Sequence, residues 1–288
     1  MGAAVLRYEP SIERRAAAAR ALQPVRQIGG TEIVLARRGA GTGIVEVGER
    51  GGYRVRFPDS EHGREAVLIN TGGGMAGGDR AEHVVLAEAG AEALVTTPAA
   101  ERIYRTLGPR TEIHARLNVG SGASLVWMPQ ETILFEGASL ARRLDADVDP
   151  SASLLMLEMT VLGRAASGER PRRAALRDVW RIRRGGRLAF AENVSLDGDL
   201  EQIMLQPAVA GGAERVIATL LFVSPLATDR LDEVCEALRP AGRSAGASAW
   251  NGLLVARVLG CRLGVAREHV ARVLGILMQR PLPRTWWT

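Results

Sequence analysis

The residues whose types could do chemistry are few and scattered. Asn70-Thr-Gly-Gly-Gly-Met-Ala-Gly-Gly-Asp79 holds a GxGxxG in Gly72, Gly74 and Gly77. Such glycines let a backbone turn tightly and approach a pyrophosphate at the start of a helix. The next run, His83-Val-Val-Leu-Ala, reads as a strand. The helix that would hold the phosphate is missing, and the segment reads as a glycine-rich β connection with positive φ angles. Gly242-Arg-Ser-Ala-Gly246 has the GxSxG spacing of a nucleophile elbow, which needs a strand before the serine and a helix after it. Here a helical run and Pro240 precede it and a strand-like run, Leu253–Val258, follows, so Ser244 reads as a loop residue. Asp145, Asp147 and Asp149 imitate the start of a calcium loop. Pro150 stands where that loop requires glycine and Met156 where it requires glutamate, so the three read as acids on the solvent face of a strand. His62, His83, His114 and His269 form no HxH or HxxxH pair and read as polar-face residues. Cys235 and Cys261 make neither a metal spacing nor a disulfide framework and read as small core residues.

What is absent narrows the chemistry further. All 37 basic residues among the 288 are arginine, against 32 acids. Without lysine there is no Walker A loop of the usual kind and no Schiff base, which excludes pyridoxal and Schiff-base aldolase chemistry. The arginines, with 33 glycines, fit the codon bias of a GC-rich genome. They cluster at Arg170, Arg172, Arg173, Arg177, Arg181, Arg183, Arg184 and Arg187, around Trp180. Guanidinium–phosphate pairing and indole stacking would suit nucleic acid. Glu169, Asp178, Glu192, Asp197 and Asp199 flank or interleave the cluster, which favours a solvated face or a protein interface. An arginine-rich β module that binds nucleic acid is the alternative reading.

Two carboxylates stand in awkward places. Glu158 sits in Ser-Leu-Leu-Met-Leu-Glu-Met-Thr-Val-Leu, and Glu131 in Trp-Met-Pro-Gln-Glu-Thr-Ile-Leu-Phe. A carboxylate in a buried strand is costly unless it is paired, hydrogen-bonded or bound to a cation. These acids suggest either satisfied structural groups or a polar path inside the protein.

The elements that would position them are mainly strands. In Thr111–Val119, Ile113, Ala115, Leu117 and Val119 alternate with Glu112, His114, Arg116 and Asn118, the period of a half-buried strand. Similar runs are Tyr53–Phe57, Ala66–Asn70, His83–Ala87, Ala93–Thr97, Ser124–Trp127 and Leu140–Val148. Leu154–Met159, Asp178–Arg183, Leu188–Val194 and Ile217–Val223 follow, punctuated by glycine and proline in an all-β rhythm. Two helices are expected near the C-terminal end. Thr228 is placed as N-cap of a helix over Asp229–Arg239, with Leu231, Val234, Cys235 and Leu238 on one face. The second runs from about Val265 to Gln279. Residues 1–30 read as an N-terminal arm and 31–288 as a single β domain. The longest apolar run, Val216–Val223, is too short to span a bilayer, and no export signal follows Arg14-Arg15, so no membrane is implied and the cytoplasm is expected.

At these residues the chain resembles the urease accessory protein family UreD, also called UreH. Asn70–Arg80 is similar to its glycine-rich signature, and Thr96-Thr-Pro-Ala-Ala-Glu-Arg-Ile-Tyr-Arg105 follows at the family's spacing. Met128-Pro-Gln-Glu-Thr-Ile-Leu-Phe-Glu-Gly-Ala138, Leu162-Gly-Arg-Ala-Ala-Ser-Gly-Glu169 and Leu282-Pro-Arg-Thr-Trp286 complete the likeness. Pro98, Arg102 and Glu136 depart mildly from it. The resemblance implies a mostly β, β-helix-like stack with two helices and a non-enzymatic role. The chain would act as a scaffold and chaperone for metallocentre assembly, binding apo-urease together with UreF and the GTPase UreG so that nickel is inserted. No cofactor would be stably bound; nickel would be in transit. Asp79, Glu131, Glu158 and Glu169 match acidic positions of these motifs and are the expected lining of a transient nickel route. Carboxylates hold nickel less tightly than imidazole or thiolate, which suits transfer.

Overall fold

The computed structural model describes residues 26–60, 63–164, 168, 171–206, 215–278 and 280–287. The expected arm over 1–30 lies outside them up to residue 25, and Ile28 already begins a strand.

Two sheets face each other. The first runs in the order β14(Arg187–Asp199), β13(Arg173–Arg184), β11(Ser139–Val148), β8(Thr111–Val119), β5(Arg80–Ala87), β1(Ile28–Arg38), β2(Gly41–Arg50). The second runs β16(Ala245–Trp250), β17(Leu253–Gly260), β15(Val216–Val223), β12(Ser153–Leu162), β9(Ser124–Met128), β6(Glu92–Thr96), β4(Arg64–Asn70), β3(Tyr53–Arg56). Two short strands, β7(Glu101–Ile103) and β10(Thr132–Leu134), continue the second sheet beside β12. From β4 to β13 the chain passes back and forth between the sheets. Its neighbours β5–β8–β11–β13 and β4–β6–β9–β12 are parallel. The result is a β-solenoid-like stack of about 4 turns, closed by antiparallel β12–β15–β17–β16. This is the mostly β, helix-like stack that the resemblance implied.

The burial patterns explain the sequence patterns. The first sheet turns one face to the other sheet and one to solvent, so β8 and β11 alternate cleanly. Leu117, Leu144 and Trp180 from its inner face pack against Leu125, Trp127 and Met156 of the second sheet. The second sheet is covered on its far side as well. Leu155, Leu157 and Leu220 pack there against Val234 of α2(Leu231–Leu238) and Val270, Val273 and Leu274 of α3(Leu263–Met278). Every residue of β12 after Ser153 is therefore buried, which is why that segment reads as a continuous apolar run.

Several expectations need correction. Thr228 caps no helix: Thr228–Arg230 is a 3₁₀ turn preceded by Ala227, with no side-chain cap. The helix is confined to Leu231–Leu238, and Pro240 sits in a following 3₁₀ turn, Arg239–Ser244, at a position that needs no N–H. Cys235 and Cys261 are exposed, so they are not core residues. His83 and His269 are buried rather than on polar faces, because His83 falls in phase with Ala81, Val85 and Ala87, and His269 with Val273. The structure adds β1, β2, β7, β10, β16 and a short helix, α1(Leu200–Leu205), to the elements expected from sequence. The expected α3 and all-β outline match the structure.

Candidate functional site

The interior between the sheets carries a line of polar side chains. Its outer end is the glycine-rich connection between β4 and β5. Asp79 closes that loop: its two carboxylate oxygens accept from the backbone N–H of Gln27 (2.9 Å) and of Ala76 (2.7 Å). Gly77 has no room for a side chain, since a Cβ there would lie 1.9 Å from Thr106 Oγ1. These glycines serve close packing of two loops. A pocket of about 480 Å³ opens beside them, lined by Gln27, Thr71, Gly74, Asp79 and Tyr104.

Next inward is Glu101, which the sequence reading did not single out. Asn70 donates to both of its carboxylate oxygens, at 3.0 and 3.1 Å. Burial pushes Glu101 up to about 7; the Asn70 bond and the Arg102 amide resist, and Asp79 adds to the rise. The Tyr53 hydroxyl is buried with no partner among the described residues. Burial first, then Glu101 and Asp79, hold its proton on. The Tyr53 ring meets His83 edge-on at 5.3 Å, and His83 Nδ1 shares a 2.9 Å hydrogen bond with the Thr31 hydroxyl. Burial lowers His83 to about 4, so this imidazole is neutral at physiological pH.

Register carries the line deeper. Glu101, Thr132 and Thr160 stand opposite one another on β7, β10 and β12. Arg142 of β11 donates to both threonine hydroxyls at 3.3 Å. The same guanidinium donates to Glu158 at 2.6 Å and to Asp178 at 2.5 Å. Trp127 Nε1 donates to the other Glu158 oxygen at 2.9 Å, and Trp180 Nε1 to the other Asp178 oxygen at 3.0 Å. All five of these side chains are buried. Burial works against the Arg142 charge, but Asp178 and Glu158 overcome it and hold the proton more firmly than usual. Burial also raises Glu158, against the pull of Arg142 and with the push of Asp178. One cation thus faces two carboxylates: fully ionised, the cluster carries one uncompensated negative charge.

The four expected acids are not gathered in one place. Asp79 lies at the loop and Glu158 in the buried cluster. Glu131 is elsewhere: it accepts from Arg267 at 2.9 Å, and Arg267 also stacks over Trp286 at 4.6 Å and donates to its carbonyl. Glu131 thereby fastens the C-terminal Pro-Arg-Thr-Trp segment. Glu169 lies outside the described residues. Among the described residues no three His, Cys, Asp or Glu side chains converge to hold a metal ion. Two partners were legible in principle: Arg142 shares the phase of Leu140 and Leu144, and Asp178 that of Leu176 and Trp180. Glu101 carries no comparable signal, because a three-residue strand is too short to show a phase. With Trp180 only 1% exposed, the arginine cluster around it has no indole there to stack a base.

Residues 27–287 match the sequence model of the family described as UreD urease accessory protein. The chain belongs to the UreD family of urease accessory proteins. It is 51% identical over 250 residues to urease accessory protein UreD 2 of Methylorubrum populi, covering 85% of this chain and 84% of that one. It is 46% identical to UreD 1 of Methylobacterium radiotolerans over 285 residues, 96% of each chain. Likeness to UreD of Xanthobacter autotrophicus, at 41% identity, covers 99% of both chains. The polar line therefore belongs to a urease accessory protein; its Asn70, Asp79, Glu101 and Thr132 fall in the segments by which the sequence resembles UreD. No helix among the described residues is long and apolar enough to cross a membrane.

Proposed function

We propose that this UreD chain is the cytoplasmic scaffold through which nickel reaches apo-urease, acting in a complex with UreF and the GTPase UreG. It has no catalytic role of its own: the chain lacks the lysine of a usual P-loop, and GTP hydrolysis falls to UreG. The single observation that carries the nickel route is the excess buried carboxylate beside Arg142. Removing a charge from water is expensive, so a buried site with one carboxylate too many favours either a proton or a cation. A divalent ion entering by the glycine loop meets Asp79, then Glu101, then Glu158. Glu101, at about 7, gives up its proton at little cost near neutral pH when the ion arrives. Oxygen ligands without imidazole or thiolate grip nickel weakly, and weak contacts let the ion move on. His83, whose ring meets Tyr53 beside the route, is neutral and already engaged with Thr31. Asp79 and Glu158 serve as contacts on this route, and Glu131 serves it by holding the C-terminal segment in place.

The test is a cell that carries the urease genes but lacks this one. Urease purified from it should contain little nickel and regain it when the gene is restored. Fully loaded urease without the gene would contradict the proposal. Purified alone, the chain should hydrolyse no GTP and should retain UreG only when UreF is present.

A further inference from the structure

The opposite, outward face of the first sheet holds a second feature, independent of the nickel route. A groove of about 780 Å³ crosses β1, β5, β8, β11 and β13. One outward row reads Arg80, Glu112, Ala141, Arg177 on four adjacent strands; the next reads Glu82, His114, Arg143, Val179. The acids of the groove are already engaged: Glu112 with Arg80, and Glu82 with Arg50 and Arg116. Arg143 and His114 share Asp145 at the rim. Among the described residues the guanidiniums of Arg110 and Arg177, which line the groove, have no hydrogen-bond or ion-pair partner, and Arg181 donates only to the carbonyls of Trp180 and Glu192. Among the described residues three cations thus lack an anion, above a floor that includes Ile28 and Val179.

We propose that this groove binds an extended, glutamate- or aspartate-rich segment of a partner protein. Guanidinium forks match carboxylates in geometry and charge. Five strands at about 4.8 Å spacing give a length of roughly 19 Å, the span of about six extended residues. The apolar floor suits the uncharged side chains between the acids. Glu82 and Glu112, set among the arginines, oppose a phosphate at every step of a nucleic-acid strand but leave room for carboxylates spaced along a peptide.

The experiment is fluorescence anisotropy of the whole chain with a fluorescein-labelled peptide of alternating glutamate and alanine. Binding should weaken about tenfold or more in the doubly charge-reversed variant Arg110→Glu/Arg177→Glu. It should stay within about twofold in Arg183→Glu, an exposed position on the same face of β13 beyond the groove. Circular dichroism checks that the variants are folded. The proposal is overturned by absence of saturable binding, by equal loss in Arg183→Glu, or by no loss in the double variant. It is also overturned if single-stranded RNA of similar length binds more tightly through the same arginines.

Discussion

Arg142 and Arg143 are neighbours in β11, yet the strand's alternation sends them to opposite sides of one sheet. Arg142 is buried between two carboxylates and two indole N–H groups. Arg143 lies over the outer groove, more than half exposed, paired with Asp145 at 2.5 Å. Both ion pairs are short, but their surroundings differ. Inside, low dielectric makes each charge depend on its partner and leaves an anionic excess. Outside, water screens the pairs and leaves a cationic excess. Bond length therefore says little about what a pair contributes; the solvent around it decides.

The contrast predicts the largest effect for Arg142→Leu. It strands Glu158 and Asp178 together without a cation, and uncompensated buried charge costs about 3–5 kcal/mol. Chemical denaturation should show a loss of that size, or no soluble folded protein. A loss below about 1 kcal/mol would mean that the interior is wetter than its burial implies.

The pH dependence comes next, and two groups oppose each other. His83 falls from 6.5 to about 4 on folding, so the unfolded chain binds more protons between those values. Its contribution is fully present above pH 6.5 and is lost as pH falls toward 4, by about 3 kcal/mol at most. Glu101 rises from 4.5 to about 7, so its contribution is fully present below pH 4.5 and is lost as pH rises toward 7. Relative to the parent, His83→Asn should lose the stability gain between pH 4 and 6.5, and Glu101→Gln should lose the decline between pH 4.5 and 7. Denaturation midpoints across that range measure both; parallel curves for all three proteins would remove the assigned burial effects.

A smaller effect is expected for Glu158→Gln. The amide oxygen can still accept from Arg142 or Trp127, and Arg142 keeps Asp178, so stability should change by no more than about 1–2 kcal/mol. Asp79→Asn should cost a similar amount, because one of the two backbone N–H groups that Asp79 accepts loses its acceptor oxygen. The smallest belongs to Arg143→Ala, within about 0.5 kcal/mol by thermal or chemical unfolding, since the lost pair is at the surface.

The same contrast explains what the sequence revealed. Where a sheet has one wet face, alternation is visible, and Thr111–Val119 was read at its observed bounds. β12 is buried on both faces, so only its composition and the odd Glu158 stood out. β1 shows no clear period in sequence because Gly29 and Gly30 blur its pattern. Gly30 must be glycine: a Cβ there would fall 1.7 Å from the Glu82 carbonyl oxygen. Glu158 and Glu131 stand out as misfits in apolar runs, and the strand phase marks Arg142 and Asp178 as buried, but the sequence does not show which groups meet. The phase of β11 puts Arg142 rather than Arg143 on the buried face, and only the packing of the two sheets brings it to Glu158. Glu131 was a misfit of another kind, since its partner, Arg267, lies 136 positions away.

The most direct measurement of the central claim is the nickel content of urease purified from cells in which this chain carries Glu158→Gln. Expression and retention of UreF and UreG by the variant are checked in the same cells. The account predicts a folded variant, an intact complex and urease with markedly less nickel than the parent yields. A folded variant in an intact complex that loads urease with the full complement of nickel would contradict it.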